Sequence, residues 1–143
     1  METPEQEGSV IFSFKEKWLE PLKNGQVKVF FRKRTPRAKP RRVYFYVGSP
    51  ISAIIGWAEV LELQRLVVQD ALDMTSDGAI ARDELERYLN GSPSVGVLRL
   101  GVPVLFSEPL TVSAVRRLFN FHPPQNFFQI SGDEAYKMDE LAK

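Results

Sequence analysis

Apolar and polar positions first alternate at Ser9–Phe14 (SVIFSF), where β-branched and aromatic residues at period two predict a strand. Between Lys15 and Asn24, Trp18, Leu19 and Leu22 fall at helical spacing; Pro21 keeps that helix short and Gly25 stops it. Val27–Arg34 predicts a second strand, with Val27, Val29 and Phe31 on one side and Lys28, Phe30, Arg32 and Arg34 on the other. The following TPRAKPR segment reads as a loop. Arg42–Val47 predicts a third strand with Val43, Phe45 and Val47 inward and Tyr44 and Tyr46 outward. Gly48-Ser49-Pro50 ends it, and Ile51 to about Leu63 predicts a long strand bent or bulged at Gly56.

The pattern then becomes helical. Leu66–Met74 and Arg82–Leu89 predict two helices, parted by Thr75-Ser76-Asp77-Gly78 and closed by Asn90-Gly91. Ser94–Phe106 is strand-like, with Pro103 marking an edge or a break, and Thr111–Phe119 is a short helix that Thr111 or Ser113 would cap. Phe127–Ile130 is the last strand. Residues 1–8 read as a frayed, acidic tail, and residues 132–143 as a second acidic tail with weak patterning. Short strands with helices between them, and no βαβ rhythm, predict an α+β fold over residues 9–131: a mixed, mostly antiparallel barrel.

Charge changes the picture more than composition does. The formal charge of +1 conceals nine Lys or Arg and no acid between Pro21 and Ala58, set against ten basic and eighteen acidic residues elsewhere. At 143 residues with 43% apolar and 26% charged residues, the chain reads as one soluble globular domain. The absence of cysteine removes disulfides and thiolate chemistry, and a single histidine, His122, removes multi-histidine metal sites. No membrane-length apolar run and no basic, apolar leader is present, so a cytoplasmic location is expected.

A cationic stretch interleaved with rings suits a polyanion. Lys28, Arg32, Arg34, Arg37, Arg41 and Arg42 are candidate phosphate contacts, and Phe30, Tyr44 and Tyr46 candidate stacking surfaces for unpaired bases. Ser49, Ser52 and Gln125 are weaker polar candidates that as readily cap turns. The plainer reading is a solvated charge run that keeps the protein soluble. Asp73, Thr75, Asp77, Gly78, Ile80 and Glu84 match the spacing of a calcium loop, yet such loops work in pairs and no second one follows. A helical hairpin is the default there, and the acids Asp83, Glu84 and Glu86 disfavour a DNA-reading helix.

Five pieces in order resemble the ASCH domain, a branch of the PUA-like superfamily: FSFK followed by a helix and NG, VKVFFRKR, VYFYVGSPISAIIG, GAIARDELERYLNG and EPLTVSAVRRLFNFHPPQNFFQIS. They cover residues 9–131 and are most similar to the small prokaryotic members described as predicted transcriptional regulators. The resemblance implies a PUA-like barrel with a nucleic-acid cleft and a regulatory role. The family's Gly-x-Lys-x-x-Glu-x-Arg signature is met here by Gly25 and Arg32, but Val27 stands at its Lys position and Phe30 at its Glu position. In a relative that deacetylates a modified cytidine that lysine takes part in the chemistry. Valine has no proton to transfer and no lone pair, so amidohydrolase activity is not expected.

The expectation is a small protein that binds RNA or another single-stranded nucleic acid, without metal or cofactor. An enzyme acting on a modified nucleoside or on RNA is one alternative, and a protein-interaction module for an acidic partner is another.

Overall fold

The computed structural model describes residues 8–143. The acidic N-terminal tail expected at residues 1–8 therefore lies, apart from Gly8, outside the described residues. Seven strands form one sheet: β1 (Ser9–Phe14), β2 (Val29–Arg32), β3 (Arg42–Val47), β4 (Ala53–Val67), β5 (Ser94–Leu100), β6 (Val104–Thr111) and β7 (Phe127–Ile130). Five helices decorate it: α1 (Leu19–Lys23, entered through a 3-10 turn at Glu16–Trp18), α2 (Val68–Leu72), α3 (Arg82–Tyr88), α4 (Val112–Arg116) and α5 (Gly132–Leu141). No described helix is long and apolar enough to cross a membrane.

The strand order is β2-β5-β4-β3-β1-β7, with β6 paired to β4 off this path. Only β1 and β3 run parallel, Phe12 facing Phe45; the other pairings are antiparallel. β4 holds the sheet together because its first half pairs with β3 and β6 and its second half with β5. Its register with β6 shifts between Ile54 and Gly56, an irregularity at the glycine where a bend or bulge was expected. The backbones approach so closely there that a Cβ on Gly56 would press into the Val104 carbonyl oxygen and sit 2.9 Å from the Leu105 Cα.

The predicted barrel is corrected: the sheet does not close, and β2 and β7 end the hydrogen-bonded path. Side chains, in place of backbone pairing, join β2 to β1. Phe30 meets Phe12 and Phe14 edge-on at ring-centre distances of 5.1 and 5.2 Å, and Arg32 donates to the Ser13 carbonyl at 3.0 Å.

Three apolar clusters result. One fills the concave side of the bent sheet with Phe12, Phe14, Phe30, Val43, Phe45 and Leu98. A second lies on the other side of β1 and β3, where Ile11, Tyr44 and Tyr46 pack under Val115 of α4, Phe121, and Ala135 and Met138 of α5. The third places Val29 and Phe31 of β2 against Ala71 and Leu72 of α2, Leu85 of α3 and Leu89 just after it.

The segment 132–143, read as a weakly patterned tail, is mostly the helix α5. Ser131 accepts from the Glu134 N–H at 3.1 Å while Glu134 accepts from the Ser131 N–H at 2.9 Å, a complete capping box. Ala135 and Met138, spaced three apart, supply its buried stripe. The helix predicted from Leu66 starts only at Val68, because β4 continues to pair with β5 as far as Val67 against Ser94. The strand-like run Ser94–Phe106 is two strands parted at residues 101–103, the break that Pro103 marked. Thr111 caps α4 by accepting from the Ala114 N–H at 3.1 Å.

Candidate functional site

The tyrosines expected to face outward are the clearest correction. Tyr44 is 0% exposed and Tyr46 6%, so neither offers a face to a base. β3 is covered on both sides, Val43, Phe45 and Val47 in the concave cluster and the tyrosines beneath α4 and α5. Tyr44 satisfies its hydroxyl by donating to Asp139 of α5 at 2.8 Å. Burial first, and then the neighbouring Asp139, push the Tyr44 phenol well above its usual range, against the opposing pull of Arg42. Arg42 is likewise engaged: it donates to Asp139 at 2.8 Å and to the Tyr44 oxygen at 3.2 Å, with its guanidinium over the Trp57 ring. It serves as a clasp for α5 and is not a free phosphate contact.

Phe30 too is buried, in the concave cluster with Phe12 and Phe14. Sequence alternation put it on a solvated face, but β2 has helices on one side and the sheet's own concavity on the other. Lys28, placed beside Phe30 on that face, is exposed and precedes the strand; its N–H and that of Val29 donate to the Asp77 carbonyl at 2.8 and 3.1 Å. Arg37 is exposed and lines a separate groove of about 580 Å³ between the 35–40 loop and the β1–β7 edge, whose lining is otherwise uncharged. Arg41 is exposed near Gly8, and Ser49 and Ser52 sit in the β3–β4 turn, where Ser49-Pro50 is a cis peptide and Ser52 has φ 51°. The expected single cationic face is therefore divided.

What the fold does bring together is a cleft of about 540 Å³ between β2, the end of β1, the 3-10 turn before α1, and α3. Arg32, Arg34 and Gln125 of the sequence candidates line it, with Phe30 and Val27 in its wall. Lys15, Lys17, Lys33 and Arg87, none of them among the sequence candidates, add positive charge, because the approach of the 3-10 turn and α3 to β2 is a tertiary fact. Glu84 is the acid among the lining residues and is ion-paired to Lys17. Tyr88 of α3 is 39% exposed, accepts from the Lys33 N–H at 3.2 Å and has the Lys33 ammonium 4.9 Å from its ring centre. Together with Trp18, it supplies the accessible aromatic surface expected of Tyr44 and Tyr46. Leu85, Tyr88 and Leu89 share the helical spacing that predicted this helix, but only Leu85 and Leu89 are buried. The Ser13 hydroxyl donates to the Pro124 carbonyl at 2.7 Å and so ties the loop carrying Gln125 to β1.

Arg32 forms the floor. Its guanidinium carbon lies 5.7, 4.7 and 5.0 Å from the ring centres of Phe12, Phe14 and Phe30, and its terminal nitrogens donate to the Phe31 and Ser13 carbonyls at 2.8 and 3.0 Å. Burial pushes the group down to about 10, so that it remains a cation at neutral pH.

The calcium-loop spacing is spent differently. Asp73 pairs with Arg82 at 3.6 Å, Glu84 turns to Lys17, and the Asp77 carbonyl anchors the start of β2. Among the described residues no group of three acidic, histidine or cysteine side chains could hold a metal ion. His122 is exposed and meets Phe128 edge-on at 5.6 Å.

The open mixed sheet with its inserted helices has the fold of solved ASCH structures. In particular, the chain is similar to the crystal structure of ASCH from Zymomonas mobilis, with TM-score 0.83 at 20% identity over 93% of this chain and 94% of that one. A serine-to-alanine variant of the same Zymomonas mobilis protein superposes with TM-score 0.86 at 20% identity, covering 97% and 99%. More distant likenesses are the N-terminal domain of Staphylothermus marinus McrB (TM-score 0.63, 11% identity, 94% of each chain), and human THYN1 protein in complex with 5-methylcytosine-containing DNA (TM-score 0.58, 9% identity, 95% and 98%). No family model and no curated protein matches the chain.

Proposed function

We propose that the protein binds nucleic acid, single-stranded RNA foremost, in the cleft floored by Arg32. The observation that carries this is the concentration of Lys15, Lys17, Arg32, Lys33, Arg34 and Arg87 around one concavity that also holds Tyr88 and Trp18. Cations placed this way neutralise phosphates, and the accessible rings accept unpaired bases. The helix at the rim, α3, carries Asp83, Glu84 and Glu86, which phosphates would repel, so insertion of α3 into a duplex groove is disfavoured. The DNA complex of THYN1, a protein of the same general fold, adds support of a coarser kind. A regulatory role would follow from such binding without any chemistry at Val27 or Phe30.

Fluorescence anisotropy with labelled single-stranded RNA, duplex DNA and heparin at two salt concentrations tests the reading. Binding of RNA should be micromolar or tighter and weaken roughly tenfold for a Lys33→Ala, Arg34→Ala double variant, with a shallower salt dependence. Tyr88→Ala should cost about 1 to 3 kcal/mol of RNA affinity. Equal affinity for heparin and RNA, insensitive to Tyr88, would reduce the cleft to unspecific charge.

A further inference from the structure

Arg32 carries an uncompensated charge at the bottom of the cleft. Two of its N–H groups are committed to the Phe31 and Ser13 carbonyls, and among the described residues no carboxylate lies within ion-pair distance of it. Two residues earlier on the same strand face stands the ring of Phe30, not an acid. Glu84, in the same cleft, is held by Lys17. Three phenylalanine rings around the guanidinium recover part of the lost hydration through their negative faces, but a cation taken from water without an anion remains destabilising. The remaining N–H donors of the planar fork suit an anion that arrives with a ligand.

The dimensions narrow the class of anion. A cavity of about 540 Å³ is the size of a small-ligand pocket and is large enough for one nucleotide. A terminal phosphate can turn its oxygens to the half-buried Arg32 guanidinium without chain leaving on both sides, as an internal phosphodiester requires. A terminal phosphate also brings more than one negative charge near neutral pH, where a diester brings one.

We propose that Arg32 seats the terminal phosphate of a nucleotide, so that the cleft takes a nucleoside monophosphate group, free or at the phosphorylated 5′ end of a strand. The base then lies toward Tyr88 and Trp18, and Lys15, Lys33 and Arg34 flank the phosphate's approach. This rests on reading the cleft as a nucleic-acid site, and it adds a demand for the monoester.

Calorimetric titration of the full chain at fixed ionic strength with a short oligoribonucleotide bearing a 5′-phosphate, its 5′-hydroxyl twin, adenosine 5′-monophosphate and adenosine provides the test. The phosphorylated strand should bind about tenfold more tightly than its twin, a difference that requires no variant. Arg32→Met should weaken the phosphorylated strand more than its 5′-hydroxyl twin and so erase that difference, and Arg32→Lys should restore part of it. If adenosine 5′-monophosphate binds and displaces the phosphorylated strand, free nucleotides are ligands; if only the strand binds, the phosphorylated end is. Equal affinity for the two strands overturns the phosphate seat and leaves the nucleic-acid reading standing. Failure of every strand to bind overturns both.

Discussion

Arg42 lays its guanidinium 3.6 Å from the centre of the Trp57 ring. From that position the same guanidinium reaches Asp139 of α5 at 2.8 Å, and Asp139 in turn accepts from Tyr44 at 2.8 Å. One carboxylate thus satisfies a cation and a phenol that belong to β3 and fastens the last helix over the second apolar cluster.

Removing that carboxylate leaves the Tyr44 hydroxyl without its acceptor and Arg42 without its anion. Asp139→Ala should lower the unfolding free energy by about 1 to 3 kcal/mol, measured by urea denaturation. Because Arg42, Tyr44 and Asp139 do not line the cleft, RNA affinity should not change; loss of affinity with unchanged stability would contradict that separation of roles.

The buried phenol also makes a prediction about pH. Tyr44 keeps its proton to higher pH in the folded state than in the unfolded chain, where a tyrosine titrates near about 10. Below that value both states are protonated and the stability is complete. Above it the unfolded chain releases its proton first, so stability falls as pH rises, by at most about 1.4 kcal/mol per pH unit. Urea midpoints compared between pH 9 and 11 should therefore fall more steeply for the parent protein than for Tyr44→Phe; parallel slopes would mean the hydroxyl is solvated.

Gly56 is irreplaceable for a different reason. A methyl group there collides with the Val104 carbonyl and the Leu105 Cα, both backbone, so relief requires the β4–β6 pairing to part. Gly56→Ala should cost about 1 to 3 kcal/mol. Gly91→Ala, at a turn with φ +83° and open space around it, tests backbone strain alone. Circular dichroism melts of the two variants separate the effects.

How much of this was legible depends on whether one strand or two layers settled the matter. β7 was read to the residue, the irregularity at Gly56 followed from local chemistry, and of the two candidate caps, Thr111 and Ser113, Thr111 is the one that accepts from the helix. Tyr44, Tyr46 and Phe30 were misplaced because alternation distinguishes two faces of a strand without saying that both are covered. The covers, α5 over the tyrosines and the folded-over sheet around Phe30, come from segments distant in sequence. Arg32 was found through its charge and its motif position, but its lack of a counter-ion is a tertiary fact. Lys15, Lys17, Arg87 and Tyr88 join the cleft through loops and a helix rim whose approach to β2 no single stretch discloses.

The cleft's one acid is a handle on its affinity. Lys17 and Glu84 are both partly solvent-exposed, so their ion pair contributes little to the fold. Glu84→Gln should free the Lys17 ammonium and remove a repelling charge, tightening RNA binding roughly threefold to tenfold at low salt, with the gain shrinking as salt rises. Anisotropy titrations at two ionic strengths measure this; weaker binding in the variant would show that Glu84 itself contacts the ligand.

β1 has no hairpin partner. Its neighbours are β3, reached across a helix and β2, and β7, where Phe12 faces Phe127. During synthesis on the ribosome β1 must therefore wait, one edge bare, until β7 has emerged. A nascent chain paused anywhere between β3 and β7 presents a sticky template with Val10 and Phe12 on it, and chaperone demand should peak in that interval.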